Sequence, residues 1–492
     1  MNDPACLPAT ELLAALRERR ISSRELLEHY LERIERHNRQ LNAVLTIDER
    51  AMDAAAAADY ARARGEDLGP LHGLPMTVKD SFETEGLLTT AGADELLDNV
   101  PSRDAVAVER LRSAGAVIFG KTNLPALAAD GQYFNPTFGA SNNPWDLTRT
   151  TSGSSGGSAG ALAAGLTALE LGSDMDGSIR RPAHFSGVFG LKPSYGLIPT
   201  RGHIPATPGT EFDADMNCIG PMARGVDDLE LALEVLAGPD DANAIAWQLE
   251  LPPPRASWLG EYRVAVWLDD PHSPVDAAAL AVLRSAVDAL SDAGVAVIER
   301  PGAVPLPEAV EMHRALLMGV LSSGMADGAF AALKLLAAGT PPSEDEADSM
   351  QHARLLTQTK RDWNKVHEQR LRMQERWAEL FLEFDAFLCP VAPTAALQHD
   401  HTPDLNARTI TINGQVRPFW DQVSWISYAS AAYLPAVSAP VGLTEAGLPV
   451  GLQIVGPYLE DRTAIDIARK LSEVLGGYAA PPAFRPTVVG VV

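Results

Sequence analysis

The sequence predicts an α/β fold, and three observations carry that prediction. Hydrophobic residues fill 46% of 492 positions, ample for a sizeable core. A short apolar run, Ala116-Val-Ile-Phe-Gly120, follows an amphipathic helix after a glycine, the helix–glycine–strand order that α/β folds require. The chain closes with Ala386-Phe-Leu-Cys-Pro-Val391, Pro435-Ala-Val-Ser-Ala-Pro-Val441 and Val450-Gly-Leu-Gln-Ile-Val-Gly456, which read as core strands.

The elements follow in order. Residues 8–65 read as helical, because Leu12, Leu13 and Leu16, then Leu26, Leu27, Tyr30, Leu31 and Ile34, recur at helical spacing. Ser22 and Glu25 form a capping-box pattern, in which a hydroxyl and a carboxylate satisfy exposed helix-end donors. An alanine-rich helix over 51–64 ends at Gly65, and 105–114 is helical ahead of the strand at 116–120. Residues 162–171 read as a buried helix, and 185–191 and 262–268 as strand or buried turn. Val226–Leu236 reads as an amphipathic helix stopped by Gly238-Pro239. Beyond 302, apolar clusters (Leu316, Leu317, Val320, Leu321) are broken by Ser322-Ser-Gly324 and Gly339-Thr-Pro-Pro342. Residues 350–384 then read as a long charged amphipathic helical region. Without a repeat or a low-complexity linker, 1–492 reads as a single domain with a mostly helical insertion near 302–385.

Composition narrows the function. The formal net charge is −24, which argues against a basic nucleic-acid face and against docking on anionic membranes. Cys6, Cys218 and Cys389 are too few and too scattered for a disulfide framework or a zinc site. No run of about 20 apolar residues appears. The opening Met-Asn-Asp-Pro-Ala-Cys lacks a basic and then apolar leader, so the expected setting is the reducing cytoplasm.

Chemistry concentrates in three segments. Ser152-Gly-Ser-Ser-Gly-Gly-Ser158 and Gly172-Ser-Asp-Met-Asp-Gly-Ser-Ile-Arg180 hold Ser154 and Ser178, and Gly73-Leu-Pro-Met-Thr-Val-Lys-Asp80 holds Lys79. A lysine and two serines can build a hydrolase without histidine, cysteine or metal. Lys79 reads either as a lysine paired with Asp80 or as a base. The second reading needs burial to lower its pKa from about 10.4 toward 7–8. A phosphate loop is excluded at Ser154-Ser155, since no Gly-Lys-Ser/Thr follows. Gly153-x-Ser155-x-Gly157 matches a nucleophile elbow formally, but the polar stretch after Trp145 is no hydrophobic strand. A backbone-rich site loop remains. Around Ser178, Asp174 and Arg180 can brace the turn by a charge-assisted pair, and the N–H groups of 175–178 can form a nest for an oxyanion. His72, His184 and His203 read as packed structural residues, while Arg181 reads equally as surface or as support behind the site.

Together, and in this order, these segments resemble the amidase signature family over about 8–300 and again over 380–460, where Gly447-Leu-Pro-Val-Gly-Leu-Gln-Ile-Val-Gly-Pro457 is a second anchor. The resemblance implies a large mixed, twisted β-sheet flanked by helices on both faces. It also implies a role for each matching residue: Ser178 as nucleophile, Ser154 as the cis-serine relay after a non-proline cis peptide, and Lys79 as terminal base. The N–H groups of Met175, Asp176, Gly177 and Ser178 would hold the oxyanion, supported by Ser155, Asp174 and Arg180. No cofactor and no metal are implied. The expected partner is a small-molecule amide, with no direct nucleic acid or membrane, and a homodimer is compatible with the family.

Asp176 departs from the pattern, since the family usually has glycine there. Its carboxylate would repel an oxyanion unless it turns away and is paired. It could instead select a cationic or strongly donating substrate, or mark a damaged site. Loops outside the signature, near 126–133, 302–345 and 408–430, would line the substrate pocket. Tyr133, Phe134, Met318, Phe330, Phe419, Trp420 and Trp425 there suggest small or aryl amides, with esters or carbamates as further substrates. The alternative is the glutaminase-like component of a tRNA-dependent amidotransferase complex. Asp421, the nearest acidic candidate for binding glutamine, looks shifted in register relative to Pro435. A fatty-acid amide hydrolase loses support because no membrane-anchoring segment is present.

Overall fold

The computed structural model describes residues 3–132, 135, 137–204, 211–339 and 344–485, so Tyr133 and Phe134 lie outside the described residues. Its centre is an eleven-stranded sheet. The strands are β1 (Val44–Ile47), β2 (Pro75–Lys79), β3 (Val117–Thr122), β4 (Glu170–Asp174), β5 (Phe189–Lys192), β6 (Cys218–Ala223), β7 (Arg263–Val266), β8 (Ala296–Glu299), β9 (Ala386–Pro390), β10 (Ala436–Leu443) and β11 (Pro449–Val455). They lie in the order β1-β3-β2-β4-β6-β5-β10-β11-β9-β7-β8. The sheet is mixed: β3, β2 and β4 run parallel, as do β9, β7 and β8, while the strands between pair antiparallel.

The parallel trio positions the site. Thr77 and Val78 of β2 pair with Glu170 and Leu171 of β4, so both strands end on the same sheet edge. Side chains alternate along a strand. Met76 and Val78 therefore enter the main apolar core, whereas Thr77 and Lys79 point to the other side. Ligand sites of open α/β sheets lie outside such carboxyl ends.

Several expectations are met locally. Ser22 and Glu25 form the reciprocal capping box that opens the helix Ser23–Leu41. The helix Val226–Leu236 has the expected bounds. Others are corrected. The 8–65 stretch is not all helix, because β1 interrupts it as an antiparallel edge strand on β3. The apolar run at 162–171 is not one helix. A helix, Gly156–Ala163, starts inside the Gly/Ser loop, Gly165 takes a left-handed φ of +67°, and β4 follows. A short apolar run cannot reveal its period, and here the glycine decides. Likewise 185–191 is divided: the helix Arg180–Ser186 ends at left-handed Gly187 before β5 begins. The 350–384 stretch falls into two helices, Glu344–Leu356 and Lys360–Glu383, with Thr359 capping the second by accepting from the Asp362 N–H. Among the described residues, no helix is long and apolar enough to cross a membrane.

Candidate active site

Lys79 ends β2 with no solvent exposure. Its ammonium nitrogen lies 2.6 Å from Ser154 Oγ and 2.9 Å from Ser173 Oγ. Pairing with the adjacent Asp80 does not occur. Asp80 turns to Thr90, whose N–H donates to it at 3.0 Å, and its other oxygen is 3.9 Å from Lys121. Burial drives the Lys79 pKa down to about 7, although Asp174 pulls the other way. A buried amine ringed by hydroxyls rather than carboxylates can stay neutral and accept a proton.

Ser154 follows a cis peptide bond from Gly153. Only glycine fits at 153, because a Cβ there would sit 2.0 Å from the Asp130 carbonyl oxygen. Ser155 ties the two serine segments together. Its N–H donates to the Ser178 carbonyl at 3.1 Å, and its hydroxyl accepts from the Ser173 N–H at 3.4 Å. The helix that follows packs by smallness: a Cβ on Gly157 would meet Asn123 backbone at 2.5 Å.

The turn after β4 is organised by Asp174. The carboxylate accepts from the Gly177, Ile179 and Arg180 N–H groups at 2.9, 3.1 and 3.2 Å, and from two Arg180 guanidinium nitrogens at 3.0 and 2.9 Å. Burial would raise the Asp174 pKa, but the Arg180 charge and hydrogen bonds hold it well below the usual carboxylate range. Arg180 is fully buried and also donates to Gln453 Oε1 (2.7 Å), Ser430 Oγ (2.7 Å) and the Ile426 carbonyl (3.1 Å). The brace expected from sequence is therefore present. It has a consequence for the turn's donors: the Gly177 N–H is engaged by Asp174, leaving those of Met175, Asp176 and Ser178 without a partner among the described residues.

Ser154, Ser173 and Ser178 line one cavity of about 130 Å³. Lys79 thus meets Ser154, and both signature serines share the cavity; among the described residues their hydroxyls form no mutual hydrogen bond. Three of the expected loop regions supply the walls: Leu127–Gly131 from one, Leu317, Met318 and Leu321 from the second, Phe419 and Trp420 from the third. Trp425 is instead a core residue whose ring N–H donates to the Ser273 carbonyl, and Phe330 does not reach the cavity. Asp421 pairs with Arg417 outside it.

The polar walls hold residues that sequence reading missed or left open. Ser173, inside the quoted motif, is the second acceptor for Lys79. Arg181 is buried in the wall, donating to the Gly153 and Asp176 carbonyls at 3.3 and 3.2 Å. Asp130 is held by Arg408 at 2.6 Å, a long-range pair without a local signal. His72 and His184 are structural, each bonded to backbone groups on both ring nitrogens. His203 differs, since it faces the cavity beside Asn217, and burial lowers its pKa to about 3. Asp176 also lines the cavity, with Oδ1 3.2 Å from Nε2 of buried His313 on the helix Leu306–Leu321.

The chain is similar to known proteins over nearly its whole length. The amidase family model matches residues 25–465. The glutamyl-tRNA(Gln) amidotransferase A-chain protein of Anaeromyxobacter dehalogenans (strain 2CP-C) is 35% identical over 496 residues, covering 95% of this chain and 96% of that protein. A crystal structure of an amidase superposes with a TM-score of 0.77 at 30% identity, over 96% of this chain and 100% of the other. A chain from a vestigial protein complex, described as revealing the evolutionary origins of an s-triazine catabolic enzyme, gives 0.78 at 28% identity over 96% and 100%. With a matching family model over most of its length and this α/β sheet beneath it, the chain belongs to the amidase signature family of amide hydrolases.

Proposed function

We propose that this chain is a serine amidohydrolase acting on small or aryl amides, with Ser178 as nucleophile, Ser154 as relay and Lys79 as base. The carrying observation is the buried Lys79 amine, 2.6 Å from Ser154 Oγ and with a pKa lowered to about 7. Ser178 Oγ attacks the amide carbonyl and passes its proton to Ser154, which passes its own to Lys79. The oxyanion forms at the free N–H groups of the 175–178 turn, held in shape by Asp174, Arg180 and Ser155. The proton then returns through the relay to the leaving amine, and water, deprotonated along the same route, cleaves the acyl ester. On the acid side, activity should rise with pH toward about 7 as Lys79 loses its proton.

The cavity's volume of about 130 Å³ and its Leu317, Met318, Phe419 and Trp420 walls favour a compact apolar or aromatic acyl or amine group. The whole chain works as one catalytic unit, with residues 302–385 as its variable part. A cytoplasmic setting suits its free thiols Cys6, Cys218 and Cys389. A second reading has one specific support, the 35% identity to a glutamyl-tRNA(Gln) amidotransferase component over nearly the whole chain. In that reading the chain would release ammonia from glutamine only in company with partner proteins.

Hydrolysis of benzamide, an anilide, a fatty amide, glutamine, a nitrophenyl ester and an aryl carbamate, by wild type and Ser178→Ala, tests both. Aryl amide cleavage lost in the variant supports the first reading. Glutamine cleavage that appears only on adding a partner supports the second. Turnover that survives in Ser178→Ala overturns the assignment of the nucleophile.

A further inference from the structure

Asp176 and His313 form a buried polar contact that the proposed proton relay does not use. His313 is 3% exposed, and its Nε2 lies 3.2 Å from Asp176 Oδ1. Asp176 Oδ1 and both His313 nitrogens have no hydrogen-bond partner among the described residues, so the 3.2 Å approach is a contact outside hydrogen-bond geometry. Two orphaned polar groups from sequence-distant elements, set against each other inside the protein, call for a shared proton. The contact joins two elements with different jobs. Asp176 belongs to the turn that offers N–H donors to the cavity, and His313 sits on the helix whose Leu317 and Met318 line the same cavity.

We propose that His313 is a positioning residue for the reaction: it shares the Asp176 carboxyl proton and draws that side chain toward the 306–321 helix, away from the N–H groups of the turn. This rests on reading the 175–178 turn as the oxyanion site. A neutral carboxyl held aside leaves the donors' field intact, whereas an ionised one beside them competes with the developing oxyanion. Burial supports the neutral form on both sides. It raises the Asp176 pKa to about 7, against the pull of Arg181 and Arg180 and with a push from Asp174. It lowers His313 to about 3, helped by Arg180 and opposed by Asp174. These three residues, Asp174, Arg180 and Arg181, are the charged groups facing the pair. Below about pH 7 the proton resides on Asp176 and not on His313, which is then placed to accept.

The consequence is a pH window. Lys79 must be neutral while Asp176 keeps its proton; with both groups near 7, activity should peak narrowly around pH 7, falling on the acid side with Lys79 and on the alkaline side with Asp176. The test compares pH profiles of kcat and kcat/KM for wild type, Asp176→Gly, His313→Ala, His313→Gln and the double variant Asp176→Gly/His313→Ala. His313→Ala is expected to lower kcat by roughly tenfold and to move the alkaline limb to lower pH, because the carboxyl loses its acceptor. His313→Gln, which can still accept, is expected to restore much of the loss. In the Asp176→Gly background the alkaline limb should vanish and His313→Ala should cost nothing further. Equal losses from His313→Ala in both backgrounds, with an unmoved pH profile, would reduce His313 to a packing residue and overturn the proposal.

A readout independent of turnover separates this from failure of the amidase reading. In protein labelled with 15N-histidine and assigned through His313→Gln, the His313 ring should stay neutral from pH 5 to 8. The signal of its accepting nitrogen should shift in Asp176→Gly. A ring that protonates near its ordinary pKa, or that ignores the Asp176 substitution, overturns the proposal even if no substrate has been found.

Discussion

The strand ends that carry Lys79 and Asp174 meet the helical stretch from Leu306 to Ala337 near one cavity, yet the two regions are built on opposite terms. At the strand ends, charge is buried and tightly engaged. Arg180 is fully enclosed and donates to Asp174, Gln453, Ser430 and a carbonyl, and Asp174 accepts from both backbone and guanidinium. Across the cavity, the helix Leu306–Leu321 buries one apolar face, and the next helix, Asp327–Ala337, buries no residue at all. In the proposed reaction the first region fixes where protons and an oxyanion go, and the second shapes what fits beside them, touching the first at His313. Substitutions on either side test that division.

The largest effect is expected at Lys79. Replacing it with methionine removes the proposed base, so kcat should fall by roughly 10²–10⁴-fold. The same substitution should make the protein more stable. Holding this amine near a pKa of about 7, against an ordinary 10.5, disfavours folding by about 4 kcal/mol at pH 7. The sign follows from the depressed folded pKa: the penalty is complete below about pH 7 and fades as pH rises toward 10.5, where the unfolded lysine also loses its proton. Urea denaturation should therefore show Lys79→Met above wild type at pH 7 and the gap closing by pH 10. The lost hydrogen bonds to Ser154 and Ser173 trim the gain. A variant less stable than wild type at pH 7 would mean that Lys79 is held charged, and the base assignment would fall.

Arg180→Met should break the same region differently. It leaves the Asp174 carboxylate buried with backbone donors only, and losing one partner of such a pair costs roughly 3–5 kcal/mol. Because Asp174 holds the Gly177 and Ile179 N–H groups, the turn should also lose its shape, and activity should fall with stability. Thermal unfolding checks the first claim. A stable Arg180→Met enzyme would show that the turn is held by backbone alone.

What can be read from sequence follows the same division. Asp174 and Arg180 are legible as a brace because they sit six residues apart in one turn, whereas the roles of Lys79, Ser154 and Ser178 come from the family resemblance, since Lys79 and Ser154 lie 75 residues apart. The serine loops are marked by glycines that admit close backbone approach. Gly153 is the clearest case, where even a methyl group would collide with the Asp130 carbonyl. The 162–171 stretch misleads because an apolar run carries no period once every side is buried; all of Gly156–Ala163 is enclosed. The engagement of the Gly177 N–H by Asp174 depends on how the turn closes, which spacing does not state. The Asp130–Arg408 and Asp176–His313 contacts are invisible for another reason: each joins residues far apart in the chain, with no local motif on either side.

The smallest effect is expected on the helix Asp327–Ala337. Leu335 is 79% exposed, so Leu335→Ser removes little buried apolar surface and introduces no unpaired polar group. Its effect on stability should stay within about 0.5 kcal/mol, and kcat/KM for a cavity-sized amide should not change. The value of so small an effect is the contrast it draws with Lys79 and Arg180. If the helical stretch shapes access without carrying the reaction, exposed positions on it must be silent in both measurements. If Leu335→Ser instead raises KM while leaving kcat alone, this helix touches substrate during turnover. The boundary between the two regions would then lie further out than the cavity wall at Leu317, Met318 and Leu321.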